Sequence, residues 1–130
     1  MMLTSKELER YKRQMMLDGF GLETQERLKD STALVAGVGG LGGTAAFYLA
    51  AAGIGRLLLI HPGNLTLSNL NRQLLMTADW IGMPRVIQAR ETLMNLNPGV
   101  EVKIFDEPIE LERLQAVLPE VDIVLDCRHN

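Results

Sequence analysis

Apolar positions in this chain switch between two spacings. Thr4 followed by Glu7 has the spacing of a capping box, and Leu8, Tyr11 and Met15 then recur on one helical face, which predicts a first helix over about 5 to 16. Gly19 and Gly21 interrupt it, and a short helical stretch follows around 24 to 29. The polar positions then vanish. "TALVAG" at 32 to 37 reads as a fully buried strand, "LGGTAAFYLAAAG" as an alanine-rich helix closed by Gly53 as its C-cap, and "RLLLI" at 56 to 60 as a second buried strand. A turn-rich loop through "HPGN" leads to a third helix over about 84 to 96. Pro84 stands at its first turn, Val86, Ala89, Leu93 and Leu96 share one face, and "NPG" stops it. "VEVKIFD" at 100 to 106 alternates like an edge strand, "ELERLQAVL" is a short amphipathic helix, and "VDIVLD" at 121 to 126 reads as another buried strand.

Strands alternating with helices require parallel pairing through right-handed crossovers. The expected fold is therefore α/β, a doubly wound Rossmann-like parallel sheet with helices on both faces, in a single nucleotide-binding domain over residues 1–130. The sequence stops directly after its last strand. A bare sheet edge invites pairing, so the chain reads as the N-terminal part of a larger sheet, truncated at its C-terminus, or as a dimer that covers the edge.

Composition narrows the partners. Of 130 residues, 47% are hydrophobic and 22% charged, as in an ordinary globular domain. The net charge of -3 offers no cluster of lysine and arginine for nucleic acid or an anionic membrane, and neither partner is expected. One cysteine, Cys127, excludes an internal disulfide and a Cys-rich zinc site, which suits a cytoplasmic location. Residues 31 to 55 carry no charge and could suggest a membrane span, but Gly37, Gly39, Gly40, Gly42 and Gly43 near the middle would weaken a single helix by about 1 kcal/mol each.

Chemistry enters with Gly37-Val38-Gly39-Gly40-Leu41-Gly42, a G-x-G-x-x-G set between a buried strand and a helix. Glycines let the backbone approach a polyphosphate, and the N–H groups and dipole at the helix start supply positive potential. The plainer reading is a turn that only allows close packing of strand and helix. About 20 residues on, a dinucleotide fold places an acid that accepts both ribose hydroxyls. This chain has His61, whose neutral imidazole offers one acceptor and no negative charge, so an NAD-dependent oxidoreductase is the weakest alternative.

"GVGGLGG", "YLAAAGIG", "LSNLNRQ", "NLNPGVEV" and "DIVLDCRHN", in this order and spacing, resemble the ThiF/MoeB/HesA family, ubiquitin-activating-enzyme-like proteins that adenylate the C-terminal glycine of ubiquitin-like proteins and sulfur carriers. The resemblance runs from "ERYKRQ" to the last residue. It implies an adenylyltransferase that uses ATP and Mg2+ on a ubiquitin-like or sulfur-carrier protein of the thiamine or molybdopterin type. Its nucleotide site would comprise Gly37, Gly39, Gly40, Leu41, Gly42, His61, Asn69, Arg72 and Gln73, with Arg72 and Arg85 in catalysis. It also implies a homodimer in which Arg13 reaches into the partner's site.

The match fails at four places. The family reads D-x-D where this chain has His61-Pro62-Gly63, a phosphate-binding lysine where it has Arg85, and a magnesium-associated aspartate where it has His129. Arginine keeps the charge but changes the reach, and magnesium prefers hard oxygen ligands to imidazole. Losing one preorganised charge-stabilising group commonly costs about 3 kcal/mol. The alternative function is a catalytically degenerate relative that serves as a nucleotide-binding or interaction module. His61 and His129 at neighbouring strand ends suggest a metal pair without a third ligand, and Cys127 reads as a small packed side chain rather than a sulfur-transfer nucleophile.

Overall fold

The computed structural model describes residues 1–129. Four strands, β1 (Thr32–Ala36), β2 (Arg56–Ile60), β3 (Glu101–Phe105) and β4 (Ile123–Asp126), form one sheet in the order β3-β2-β1-β4, and every pair is parallel. The chain leaves β1 for β2 and β3 on one side and returns to place β4 on the other. The order reverses at the C-terminal end of β1, the position where open α/β sheets take ligands.

Five helices complete the domain: α1 (Ser5–Tyr11), α2 (Leu22–Lys29), α3 (Gly40–Ala52), α4 (Arg85–Leu96) and α5 (Leu111–Val117). Alternation along the strands divides the core into two layers. Ala33, Val35, Leu57 and Leu59 pack with Ala46 and Ala50 of α3 and with Ala89 and Leu93 of α4. Leu34, Leu58 and Ile60 pack on the opposite face with Leu114 and Val117 from the α5 side. Each fully buried leucine contributes about 1.5–3 kcal/mol by leaving water, so both layers of helices are held to the sheet.

Local signals explain the boundaries. The Glu7 N–H donates to Thr4 Oγ1 at 3.2 Å and the Thr4 N–H to Glu7 Oε2 at 2.7 Å, the reciprocal box expected of that spacing. Gly53 closes α3 at φ +100°, and the Tyr11 ring packs so closely over it that a Cβ would come within 2.6 Å. Buried Asn97 ties the same corner together, its Nδ2 donating to Tyr11 Oη at 2.7 Å and to the Ala50 carbonyl at 2.8 Å.

Four expectations change. The first helix ends at Tyr11 rather than near 16, because Gln14 turns inward to donate to Gln25 Oε1 and the Ala52 carbonyl, leaving a short 3-10 turn at Gln14–Met16. Leu8 is exposed, so it adds nothing to an apolar face. Pro84 caps α4 from outside instead of occupying its first turn. β4 is not buried: among the described residues it pairs only with β1, and Ile123 and Val124 are 55% and 44% exposed. An all-apolar strand at a sheet edge carries the same sequence signature as one in the centre.

Gly55 shows how tightly the layers meet. A Cβ there would lie 1.7 Å from the Lys29 carbonyl oxygen, whereas at Gly21 it would meet open space. Gly55→Ala is expected to lower unfolding free energy by at least about 2 kcal/mol in urea titration, and Gly21→Ala by less than about 1 kcal/mol.

Candidate nucleotide site

The glycines between β1 and α3 serve two separate purposes. Gly37 has φ +91°, and a Cβ on it would come within 2.9 Å of the Cys127 carbonyl; a Cβ on Gly42 would lie 1.7 Å from the Gly37 carbonyl. Both are demanded by packing of the turn against its own helix and β4. Gly39 and Gly40 instead face side chains from the distant "NRQ" segment. A Cβ on Gly39 would meet Gln73 Nε2 at 3.4 Å, and one on Gly40 would meet Arg72 Cγ at 3.2 Å. The N–H groups of Gly40, Leu41 and Gly42 begin α3, where helix geometry provides no acceptor, and among the described residues no side chain caps them. Leu41 itself is exposed and adds its backbone rather than its side chain.

The segment over the loop is fixed from below. Asn69 Oδ1 accepts from the Thr66 N–H at 2.9 Å, the Gln73 N–H donates to the Asn69 carbonyl at 2.9 Å, and Leu75 and Met76 are buried in the main core. Gln73 is buried, while Arg72 is exposed, with its stem on Gly40 and its Nη1 donating to the Ser68 carbonyl at 3.0 Å and to Asn71 Oδ1 at 2.7 Å. Arg85, the first residue of α4, donates through Nη2 to the Pro62 carbonyl at 2.8 Å and through Nη1 to Asn69 Oδ1 at 3.4 Å and Gln73 Oε1 at 3.5 Å. Its buried Nε has no partner among the described residues. Burial and then the Arg72 charge hold Arg85 below the usual guanidinium range. Among the described residues neither arginine forms an ion pair with a carboxylate. Among the described residues, two guanidinium groups and three uncapped amides thus converge on the turn without an ion-paired carboxylate, which is the electrostatic requirement of an anion site.

His61 is not the ribose acceptor that its position suggests, nor a solvent-facing turn residue. Its Nδ1 accepts the Val38 N–H at 2.9 Å, so the imidazole closes the glycine turn from the end of β2. That bond fixes the neutral tautomer with its proton on Nε2, and the buried Nε2 has no acceptor among the described residues. Val38 is consequently not one of the free amides of the turn. Burial first, then the charges of Arg85 and His129, depress the His61 pKa to about 4 against the pull of Asp106.

Asp126 is forked by Arg128, with Nε to Oδ1 at 2.7 Å and Nη2 to Oδ2 at 2.8 Å, and this holds the carboxyl at about 2. "CRH" gave no signal of that fork beyond an arginine two residues after an aspartate. Cys127 is half-buried, and burial followed by the Asp126 charge raises its pKa, which keeps it a thiol. His129 comes near His61, but among the described residues no group of three His, Cys, Asp or Glu side chains gathers as a metal set. No described helix is long and apolar enough to cross a membrane.

Arg13 does not join this group. It follows α1, whose Tyr11 packs on Gly53 at the C-terminal end of α3, while the glycine turn lies at the other end. The 13 residues of α3 separate those ends by about 20 Å.

His61 provides a pH test. Its depressed folded pKa lies below the ordinary value of 6.5, so the folded state binds a proton less readily than the unfolded state. Stability contributed by the neutral ring is complete above 6.5 and is lost as pH falls toward 4. An NMR titration is expected to give a His61 midpoint near 4, and His61→Asn should flatten the acid decline of unfolding free energy between these limits.

Comparison with known proteins places the chain in a family. The ThiF family model matches residues 11–130. The vegetative HesA protein of Trichormus variabilis is 53% identical over 128 residues, covering 98% of this chain and 48% of its own length. The sulfur carrier protein ThiS adenylyltransferase of Escherichia coli is 38% identical over 128 residues, covering 98% of this chain and 51% of its own. Escherichia coli MccB in a structure with ATP superposes with a TM-score of 0.80 at 29% identity, covering 93% of this chain and 37% of that one. The chain spans about half the length of the curated relatives it matches. It belongs to the ThiF family.

Proposed function

We propose that this chain forms the nucleotide-binding part of an ATP-dependent adenylyltransferase acting on the C-terminal glycine of a ubiquitin-like or sulfur-carrier protein. The observation that carries the reading is the placement of Arg72 and Arg85, without carboxylate partners among the described residues, beside the free amides that open α3. Support comes from relatives whose names describe such an activity and from MccB, solved with ATP.

In this reaction a carboxylate oxygen of the carrier attacks the α-phosphorus, the bond from that phosphorus to the bridging oxygen breaks, and pyrophosphate leaves with the electron pair. Negative charge therefore grows on the departing phosphates. Gly40, Leu41 and Gly42 would present backbone donors to the phosphates. Gln73 would add its Nε2, which faces Gly39, while Asn69 would position Arg85 through its Oδ1. Arg72 and Arg85 would stabilise the transferred charge. Mg2+ belongs to the family chemistry, yet these residues do not fit it well: Asp126 is already committed to Arg128 and His129 brings no oxygen.

Arg13 would act from a second copy, consistent with its distance from its own glycine turn. Exposed Leu41, Phe47 and Tyr48 give uncharged α3 an apolar outer surface on which such a copy could pack. A single cysteine, which cannot form an internal disulfide, suits the cytoplasm as the place of work.

A second reading, a nucleotide-binding or protein-interaction module without turnover, is favoured by the Asp126–Arg128 fork and the missing acid at His61. An NAD-dependent oxidoreductase gains no support, since the one acceptor nitrogen of His61 is occupied by Val38.

Carrier-dependent exchange of labelled pyrophosphate into ATP distinguishes the first two. Exchange is expected with the intact protein and its carrier, falling about 100- to 1,000-fold in Arg72→Ala. ATP binding by calorimetry with no exchange would establish the module instead. Mixing Arg13→Ala and Arg72→Ala proteins should restore up to about a quarter of wild-type exchange by pairing one intact site per mixed dimer.

A further inference from the structure

The C-terminal end of α3 grips the segment that carries Arg13. Ala52, the last residue of that helix, has a carbonyl beyond the helix ladder, and its oxygen accepts from Gln14 Nε2 at 2.6 Å and from Gln25 Nε2 at 2.8 Å. Gln14 Nε2 also donates to Gln25 Oε1, so fully buried Gln25 ties α2 to the same point. A Cβ on Gly53 would come within 2.5 Å of Gln25 Nε2 and 2.6 Å of Tyr11 Cζ, and only a glycine admits both side chains to this corner. Lys12 and Arg13 keep right-handed helical backbone angles, with φ -55°, ψ -35° and φ -66°, ψ -43°. Tyr11 and Gln14, three residues apart in that geometry, therefore share the face that meets α3. Arg13 lies off that face and is exposed. The cations beside it are engaged, Arg10 donating to the Leu96 carbonyl at 3.0 Å and Lys12 to Glu9, whereas Arg13 forms no ion pair among the described residues.

We propose that Gln14 is a positioning residue for the adenylation reaction: by donating to the Ala52 carbonyl and to Gln25, it fixes the backbone from which Arg13 reaches the nucleotide of a second copy. Gln14 touches no substrate and acts through Arg13 alone. Its effect is therefore felt in the partner's site and not in its own, where Arg72 and the glycine turn lie at the far end of α3. Both of its contacts are donations to oxygen, which an aliphatic side chain of the same length cannot make. A displacement of about 1 Å in a group that stabilises a transition state can cost on the order of 100-fold in rate, so an anchor of this kind has a measurable kinetic consequence.

This inference rests on the proposed action of Arg13 from a second copy, and mixed dimers separate the two. Gln14→Met keeps the length of the side chain and removes both donations. In the carrier-dependent exchange assay above, Gln14→Met alone is expected to fall about tenfold or more. Mixed in equal amounts with Arg72→Ala, it should regain up to about a quarter of wild-type exchange, because each mixed dimer then holds one site with its own Arg72 and a well-placed Arg13 from the partner. Mixed with Arg13→Ala it should regain nothing, since one site receives no arginine and the other a misplaced one. Undiminished exchange by Gln14→Met would overturn the positioning role alone. So would the reverse pattern, recovery with Arg13→Ala but not with Arg72→Ala, which places the damage in the variant chain's own nucleotide site. If Arg13→Ala and Arg72→Ala fail to restore each other, the action of Arg13 across the dimer is overturned and the positioning role with it.

Discussion

The approach of α3 to the turn that precedes it governs the rest of this structure. With Gly42 hydrogen-for-Cβ against the Gly37 carbonyl, and Gly37 in the left-handed region against β4, the chain reverses from strand to helix within a few residues. That sharp reversal brings the first amides of α3 to the C-terminal edge of the sheet, at its topological switch point. Any side chain at Gly42 would push the helix away and disperse the positive end of its dipole. The packing requirement and the anion-binding geometry thus have one cause, and the glycine pattern alone could not separate them. The side chains opposite each glycine do: backbone faces Gly37 and Gly42, whereas Arg72 and Gln73 face Gly40 and Gly39.

Charge around the turn follows from what is missing as much as from what is present. With His61 and Gly63 where the family resemblance implies acids, the end of β2 itself carries no negative charge, while Asp126 is paired with its own neighbour Arg128. What remains close to the loop is Arg72, Arg85 and a neutral imidazole, with the Asp106 carboxylate on the next strand, unpaired among the described residues, acting on the last two. Such a site has a stronger intrinsic preference for anions than one carrying those acids, and a weaker capacity to assemble a divalent cation. Family membership therefore gives the fold, whereas whether the proposed site turns ATP over or only binds it depends on how these few charges are arranged.

Much of the architecture was legible because its signals are local. Thr4 and Glu7 announce a cap, Gly53 a helix end, and the uninterrupted apolar runs at 33 to 36 and 57 to 60 two strands buried on both faces. The candidate residues around the turn were legible from motif and resemblance, and Asn69, Arg72, Gln73 and Arg85 do converge on it. What the sequence hid depends on contacts between distant segments. The inward turn of Gln14, the exposure of Ile123 and Val124, and the bond from Val38 to His61 require the packed structure. Asp106 looked like the last residue of an alternating strand, because only the parallel register sets it beside His61.

The account is tested most directly by a crystal structure of the protein with a non-hydrolysable ATP analogue. It predicts the triphosphate over the amides of Gly40, Leu41 and Gly42, with the Arg72 and Arg85 guanidinium groups in hydrogen-bond contact with phosphate oxygens. An analogue bound elsewhere, or a turn that stays vacant with Arg72 still bonded to Ser68 at saturating analogue, would contradict it.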